Sequence, residues 1–205
     1  MPVEIKKVLN KRDLRRFVNF PESLYKNNPY YVPPLVFDQM DTLDQEHGAA
    51  QEFCESALYL AYKDGKPAGR VAAIVNFKAN EQWNHKEVRF GWYDFIDDPE
   101  VSQALMDKVY EFGRERGMES VVGPLGFTDF DPEGQLVAGF DKLGTMALIY
   151  NYPYYPQHME QMEGWTKDND YVEFKLMVPE RVPEKYTKVA EMVMKRYNLH
   201  PMHPK

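Results

Sequence analysis

The sequence predicts an α/β fold of the α+β kind: a mixed, mostly antiparallel sheet flanked by helices. Two stretches carry that prediction. The first is a pair of apolar, strand-like runs, ALYLAYK over 57–63 and AGRVAAIVNF over 68–77, which enclose Asp64-Gly65-Lys66-Pro67. Asp-Gly between such runs is a strong short-range hairpin signal, because the tight turn needs positive φ at its central residues. The second is a strand–helix–strand pattern over 87–125, the usual size of a βαβ unit.

The remaining elements follow in chain order. Residues 3–8, VEIKKV, alternate as a short strand. Asn10 caps a helix with Leu14, Phe17, Val18, Leu24 and Tyr25 on one face, and Pro21 predicts a kink or break in it. NNPYYVPP reads as a loop, and 35–47 as a second helix facing inward with Leu35, Val36, Met40 and Leu43. EVRFGWYDFI over 87–96 is a strand. Asp98 as N-cap and Pro99 at the first position start a helix over about 99–116. Val101, Leu105, Val109 and Phe112 supply its buried stripe, Arg114 and Arg116 suit its last turn, and Gly117 ends it. ESVVGPL is the next strand. Residues 126–143 are rich in Gly, Asp and Pro. TMALIY over 145–150 reads as a strand, 155–163 as a short helix, YVEFKLMV over 171–178 as a strand, and 183–197 as a last helix. The expected organisation is one domain over 1–178, then a C-terminal helix and tail over 179–205 that could begin a second domain.

Composition excludes several classes. The chain has 205 residues, 43% hydrophobic and 28% charged, as in globular proteins. No apolar run approaches the roughly 20 residues of a membrane helix, and the N-terminus has no secretory pattern. One cysteine, Cys54, rules out an internal disulfide and favours a reducing, cytoplasmic setting. A net charge of −7 argues against nucleic acid as the main partner. The histidines His47, His85, His158, His200 and His203 have no metal-ligand spacing, so no metal is expected. No Ser-His-Asp motif, P-loop or dinucleotide fingerprint is present. Expected partners are a small-molecule amine, with no nucleic acid and no membrane.

Local text adds a resemblance. LYLAYKDGKPAGRVAAIV, RERGMESVVGPL and NYPYYPQHMEQMEGW resemble the second and third strands, the central helix with its fifth strand, and the "N…Y…GF" segment of the GCN5-related N-acetyltransferase superfamily. PYYVPPL, GFD and YNYPYYP more closely resemble a group of bacterial proteins distantly related to those acetyltransferases, often longer and carrying a second domain. The resemblance implies transfer of an acyl group from acetyl-CoA, or another acyl-CoA, to an amine, with no covalently bound cofactor. It assigns donor contacts to Phe95, Ile96, Ser102, Gln103 and Asn151, and the acyl site to Trp92, Tyr93 and Phe95. Glu160 occupies the family's general-acid position, four residues before Gly164, with Tyr154 and Tyr155 close by. Thr128 and Asp129 follow the fifth strand, where ligands gather in open α/β sheets.

The residues themselves add a second expectation. The family's turn into the central helix is glycine-rich and basic, so that free N–H groups and the positive helix end hold a pyrophosphate. The matching stretch here, Asp97-Asp98-Pro99-Glu100, has neither a glycine nor a base. Weak or no binding of ordinary acetyl-CoA is therefore expected. A non-catalytic module that keeps the fold and binds a ligand or partner is the alternative to an enzyme. No apolar strand follows Val178, so the sheet edge is expected to be covered by a missing second domain, by the 183–197 helix packing on its own domain, or by a homodimer packed on Tyr186, Val189, Val193 and Tyr197; the missing domain as origin and the dimer as remedy are favoured.

Overall fold

The computed structural model describes residues 2–144 and 148–202. The chain forms two compact units, 1–167 and 168–205. The first runs β1 (Glu4–Lys7), α1 (Lys11–Leu24), α2 (Val36–Thr42), a 3-10 turn (Ala49–Glu52), β2 (Cys54–Lys63), β3 (Lys66–Asn76), α3 (Phe77–Trp83), β4 (Glu87–Phe95), α4 (Pro99–Glu115), β5 (Ser120–Val122) and α5 (Tyr154–Gln161). The second contains α6 (Glu184–Tyr197).

The sheet order is β1-β2-β3-β4-β5. The first three pairings are antiparallel and β4–β5 is parallel, so the expected mixed, mostly antiparallel sheet is the one that forms. Asp64 and Gly65 both have positive φ, 55° and 74°, the conformation that lets a two-residue turn follow the strand twist. Strand alternation divides the core. Ala57, Ala61, Val71 and Ala73 pack with Leu105, Val109 and Phe112 of α4. Leu58, Leu60, Ala72 and Ile74 pack on the other face with Leu14, Phe17 and Val18 of α1.

Of the kink or break expected at Pro21, the break does not occur: α1 runs through it. Proline lacks the N–H that would bond to the carbonyl four residues back, here that of Phe17. The buried guanidinium of Arg70 donates to that carbonyl at 2.9 Å instead. The orphaned acceptor is satisfied from β3 and the helix runs on to Leu24.

Other expectations shift. The helix expected over 35–47 is only Val36–Thr42, and Leu35 is exposed ahead of it. The Phe77–Trp83 helix, unforeseen, starts as β3 ends, with Asn76 accepting from Ala79 N–H at 2.9 Å. Of TMALIY, residues 145–147 lie outside the described residues, and 148–150 form no strand. YVEFKLMV over 171–178 forms no strand either. Its alternation provides an apolar face, but a strand also needs a ladder partner, and within 168–202 there is none. In α6, Tyr186, Val189 and Tyr197 are exposed on this chain, and Glu184 pairs with Lys188 at 2.8 Å.

At the start of α4, Asp98 accepts from Glu100 N–H at 3.0 Å. Lys63, from the end of β2, reaches both Asp98 and Glu100. The hydrogen bond from Lys63 is the main reason the Asp98 carboxyl lies below its usual range. A depressed carboxyl stabilises the fold at pH above its unfolded value of about 3.9, and the contribution disappears as pH falls through the lower folded value. Asp98→Ala should cost about 1 kcal/mol near neutrality. Urea titrations should show the gap between variant and wild type closing below about pH 4; a gap independent of pH would contradict this.

Candidate functional site

The site begins where β4 stops being an ordinary strand. Arg70 faces Asp94 and Ala72 faces Gly91, so β4 has one extra residue over this interval. The bulge includes Trp92 at φ 45°, a conformation that costs a bulky residue energy. Gly91 lies under the chain that follows β5: a Cβ here would come within 2.6 Å of Leu125 O. β4 and β5 pair in parallel only over Glu87–Arg89 and Ser120–Val122. Beyond that, the carboxyl end of β4 is bordered by other parts of the chain, the kind of junction where α/β sheets place ligands.

A buried polar cluster fixes this end. Arg70 bonds Asp94 Oδ2 through Nε at 2.8 Å and through its terminal nitrogen at 2.7 Å. The Tyr25 hydroxyl donates to Asp94 Oδ1 at 2.9 Å and shares a 2.8 Å hydrogen bond with the Tyr155 hydroxyl. Tyr155 in turn accepts from Phe95 N–H at 3.0 Å. Burial, then the Asp94 charge, pushes both phenols well above their ordinary pKa, so they remain neutral donors. The carbonyl of the same Phe95 accepts from the Tyr154 hydroxyl at 2.6 Å. Burial raises the Tyr154 phenol as well.

α5 is anchored by polar groups. Its two buried side chains are Tyr155 and His158. His158 Nδ1 lies 2.8 Å from Ser102 Oγ, and Nε2 lies 3.0 Å from Asp97 Oδ1. Ser, His and Asp thus meet, which no sequence motif announced. Ser102 is buried, and its hydroxyl also lies within reach of the Pro99 carbonyl at 3.2 Å. A sealed hydroxyl cannot meet a substrate carbonyl, so the trio ties α5 to the α4 N-terminus.

The expected site residues therefore divide. Phe95, Ser102, Tyr154 and Tyr155 meet at the end of β4, with Ile96 half-buried beside them. Tyr93 is buried and donates to Ser102 O at 3.1 Å. Trp92 turns to the α2 side, donating to Gln39 Oε1 at 2.7 Å and packing on Phe127, so Trp92 and Tyr93 do not line one surface. Gln103 bonds Asp107 along α4. Asn151 is buried and holds both the N–H and the carbonyl of Leu136. Thr128 N–H donates to Asp131 at 2.9 Å within a turn, and Asp129 is exposed. Glu160 is on the exposed side of α5. His203 lies outside the described residues. Burial pushes the Cys54 thiol up to about 12, as befits a buried, unreactive cysteine.

Sequence reasoning missed Lys63, Arg70, Asp94, Tyr25, Asp97 and His158 as neighbours. A signal existed for one pair: Arg70 and Asp94 each interrupt an apolar strand of the same sheet, and a charge in a buried strand needs a partner.

No family model matches the chain. Protein YghO of Escherichia coli (strain K12) is 30% identical over 166 residues, 81% of this chain and 42% of that protein. Bacterial ceramide synthase of Caulobacter vibrioides is 27% identical over 185 residues, 90% of this chain and 47% of that protein. The chain thus spans less than half the length of these curated relatives. A predicted acetyltransferase from Clostridium acetobutylicum, solved with acetyl-CoA, superimposes with a TM-score of 0.50 at 9% identity, over 84% of this chain and 96% of that one. The fold is that of the GCN5-related N-acetyltransferases. In this acetyltransferase fold the cluster around Asp94 holds the end of β4. Asp94→Ala leaves the Arg70 guanidinium buried and unpaired, and should cost about 3–5 kcal/mol. Arg70→Met combined with Asp94→Leu should cost less, as measured by urea unfolding; an equal or larger loss in the double variant would contradict the assignment.

Proposed function

We propose that the chain is the acyl-donor domain of an N-acyltransferase, binding an acyl-CoA at the carboxyl end of β4 and passing its acyl group to an amine. The observation that carries this reading is the bulge at Trp92, beside the sheet's parallel junction and the start of α4. A bulge frees a backbone N–H from the ladder, and a fixed N–H is what a thioester oxyanion requires. In the reaction the neutral amine nitrogen attacks the thioester carbonyl carbon. A C–N bond forms, the C–S bond breaks, the sulfur leaves as thiolate, and the surplus amine proton goes to solvent. Positioning supplies most of the rate in such a step, so few reactive side chains are needed. Ceramide, the product named for the Caulobacter relative, is an amide of a long-chain amine. That name supports a long-chain amine as acceptor and a long-chain acyl-CoA as donor. Donor entry requires α5 to shift, because Tyr154 and Tyr155 occupy both backbone groups of Phe95.

One observation favours a second reading, a non-catalytic ligand- or partner-binding module. Lys63, Asp98 and Glu100 already fill the α4 N-terminus, where a pyrophosphate would sit.

Thermal unfolding with acetyl-CoA and palmitoyl-CoA, joined to a thiol-release assay with an alkylamine, separates the two. An acyl-CoA at about 100 times its Kd should stabilise by about 2.7 kcal/mol, and thiol release should depend on the amine. Neither donor stabilising the protein, with no amine-dependent thiol release, would refute the enzyme and leave the module.

A further inference from the structure

The net charge of −7 conceals a basic face. Between β1 and the second turn of α1 stand Lys6, Lys7, Arg12, Arg15 and Arg16, all exposed. Two adjoining grooves gather them. One, about 710 Å³, is bounded by Lys6, Lys7, Arg16 and the acidic Asp13; the next is bounded by Arg12, Arg15 and Arg16, and Pro67 lines both. Asp13 pairs with Arg16 at 2.9 Å and Glu4 with Lys6 at 3.3 Å. Lys7 is within electrostatic reach of Glu55; among the described residues no ion pair engages Arg12 or Arg15.

The placement is unfavourable for the helix. Its N-terminal end carries partial positive charge and favours acidic residues. α4 obeys that rule with Asp98 and Glu100, whereas α1 opens with Lys11 and Arg12 and has one acid, Asp13, in its first turn. Asp13 offsets only part of this charge, and Arg12 and Arg15, left without an ion pair among the described residues, point to an external anion. The apolar member of the face is Leu9, which borders the first groove and is 78% exposed. A cationic field around a protruding leucine suits a surface that is anionic outside and apolar beneath.

We infer that this face docks on an anionic phospholipid bilayer, with the arginines and lysines at the headgroups and Leu9 entering the interface. Clusters of this size on a helix are drawn to such leaflets, each base contributing additively and losing its pull within a Debye length. Docking in this way brings the end of β4 to the membrane: Ala68, next to Pro67, accepts from Ile96 N–H at 2.9 Å just past that strand. The inference stands on the charge pattern and is independent of the acyl-transfer reading.

Co-sedimentation tests it, using vesicles of phosphatidylethanolamine with about a third phosphatidylglycerol against neutral phosphatidylcholine vesicles. The full chain should bind the anionic vesicles alone, and added salt should weaken that binding. Arg12→Gln with Arg15→Gln, both at exposed positions, should weaken it about thirtyfold. Leu9→Ser should weaken what binding remains at high salt. Equal binding to neutral vesicles, no binding to either, or a double variant or Leu9→Ser that binds as wild type would overturn the inference. So would retention of inorganic pyrophosphate or duplex DNA without vesicle binding, which would assign the face to a phosphate ligand or to nucleic acid.

Discussion

The Arg70–Asp94 ion pair holds this architecture at one point. Its guanidinium supplies the hydrogen bond that Pro21 denies to Phe17 and so keeps α1 continuous. Its carboxylate collects the hydroxyl of Tyr25, at the end of α1, and stands beside that of Tyr155 in α5. Two strands and two helices are thereby fixed to one another through buried charges. Buried ions repay their desolvation only when every lone pair and proton finds a partner. Here both carboxylate oxygens do, which makes the cluster costly to disturb.

That cluster also sets the state of the candidate site. The end of β4 lies beyond the short parallel pairing with β5, the kind of junction where α/β sheets place ligands. In this chain Tyr155 and Tyr154 take the N–H and carbonyl of Phe95, Ser102 faces His158, and Lys63 neutralises the carboxylates at the α4 N-terminus. The polar groups that resemblance assigned to a donor are thus already paired within the chain. α5, which does most of this, is docked by Tyr155 and His158, which make polar contacts as well as packing on the Phe95 ring, whereas α4 is docked chiefly by Val101, Leu105, Met106, Val109 and Phe112. Polar partners can be exchanged for those of a ligand; an apolar stripe offers no such exchange.

The architecture was legible wherever pattern and local chemistry agreed. Asp64-Gly65 fixed the hairpin, and Asp98-Pro99 fixed the start of α4 to the residue. The reading failed where long-range partners decide. Pro21 allowed a break because Arg70, which averts it, is 49 positions away in the sequence, and 171–178 looked like a strand because alternation cannot reveal a missing ladder. The site was half legible: Phe95, Ser102, Tyr154 and Tyr155 were singled out, and they meet. Their roles were hidden, because whether a hydroxyl faces a ligand or a neighbouring backbone depends on contacts about 60 residues apart. The basic face was hidden for a simpler reason, since net charge averages it away.

The end of β4 is closed by the chain's own side chains, acting through Tyr155. Native-state hydrogen exchange at the Phe95 amide reads that contact directly, because the Tyr155 hydroxyl is its acceptor. The amide should be strongly protected in the wild type. In Tyr155→Phe it should lose that protection while amides of the β2–β3 ladder keep theirs. A Phe95 amide that exchanges equally slowly in both proteins would contradict the account.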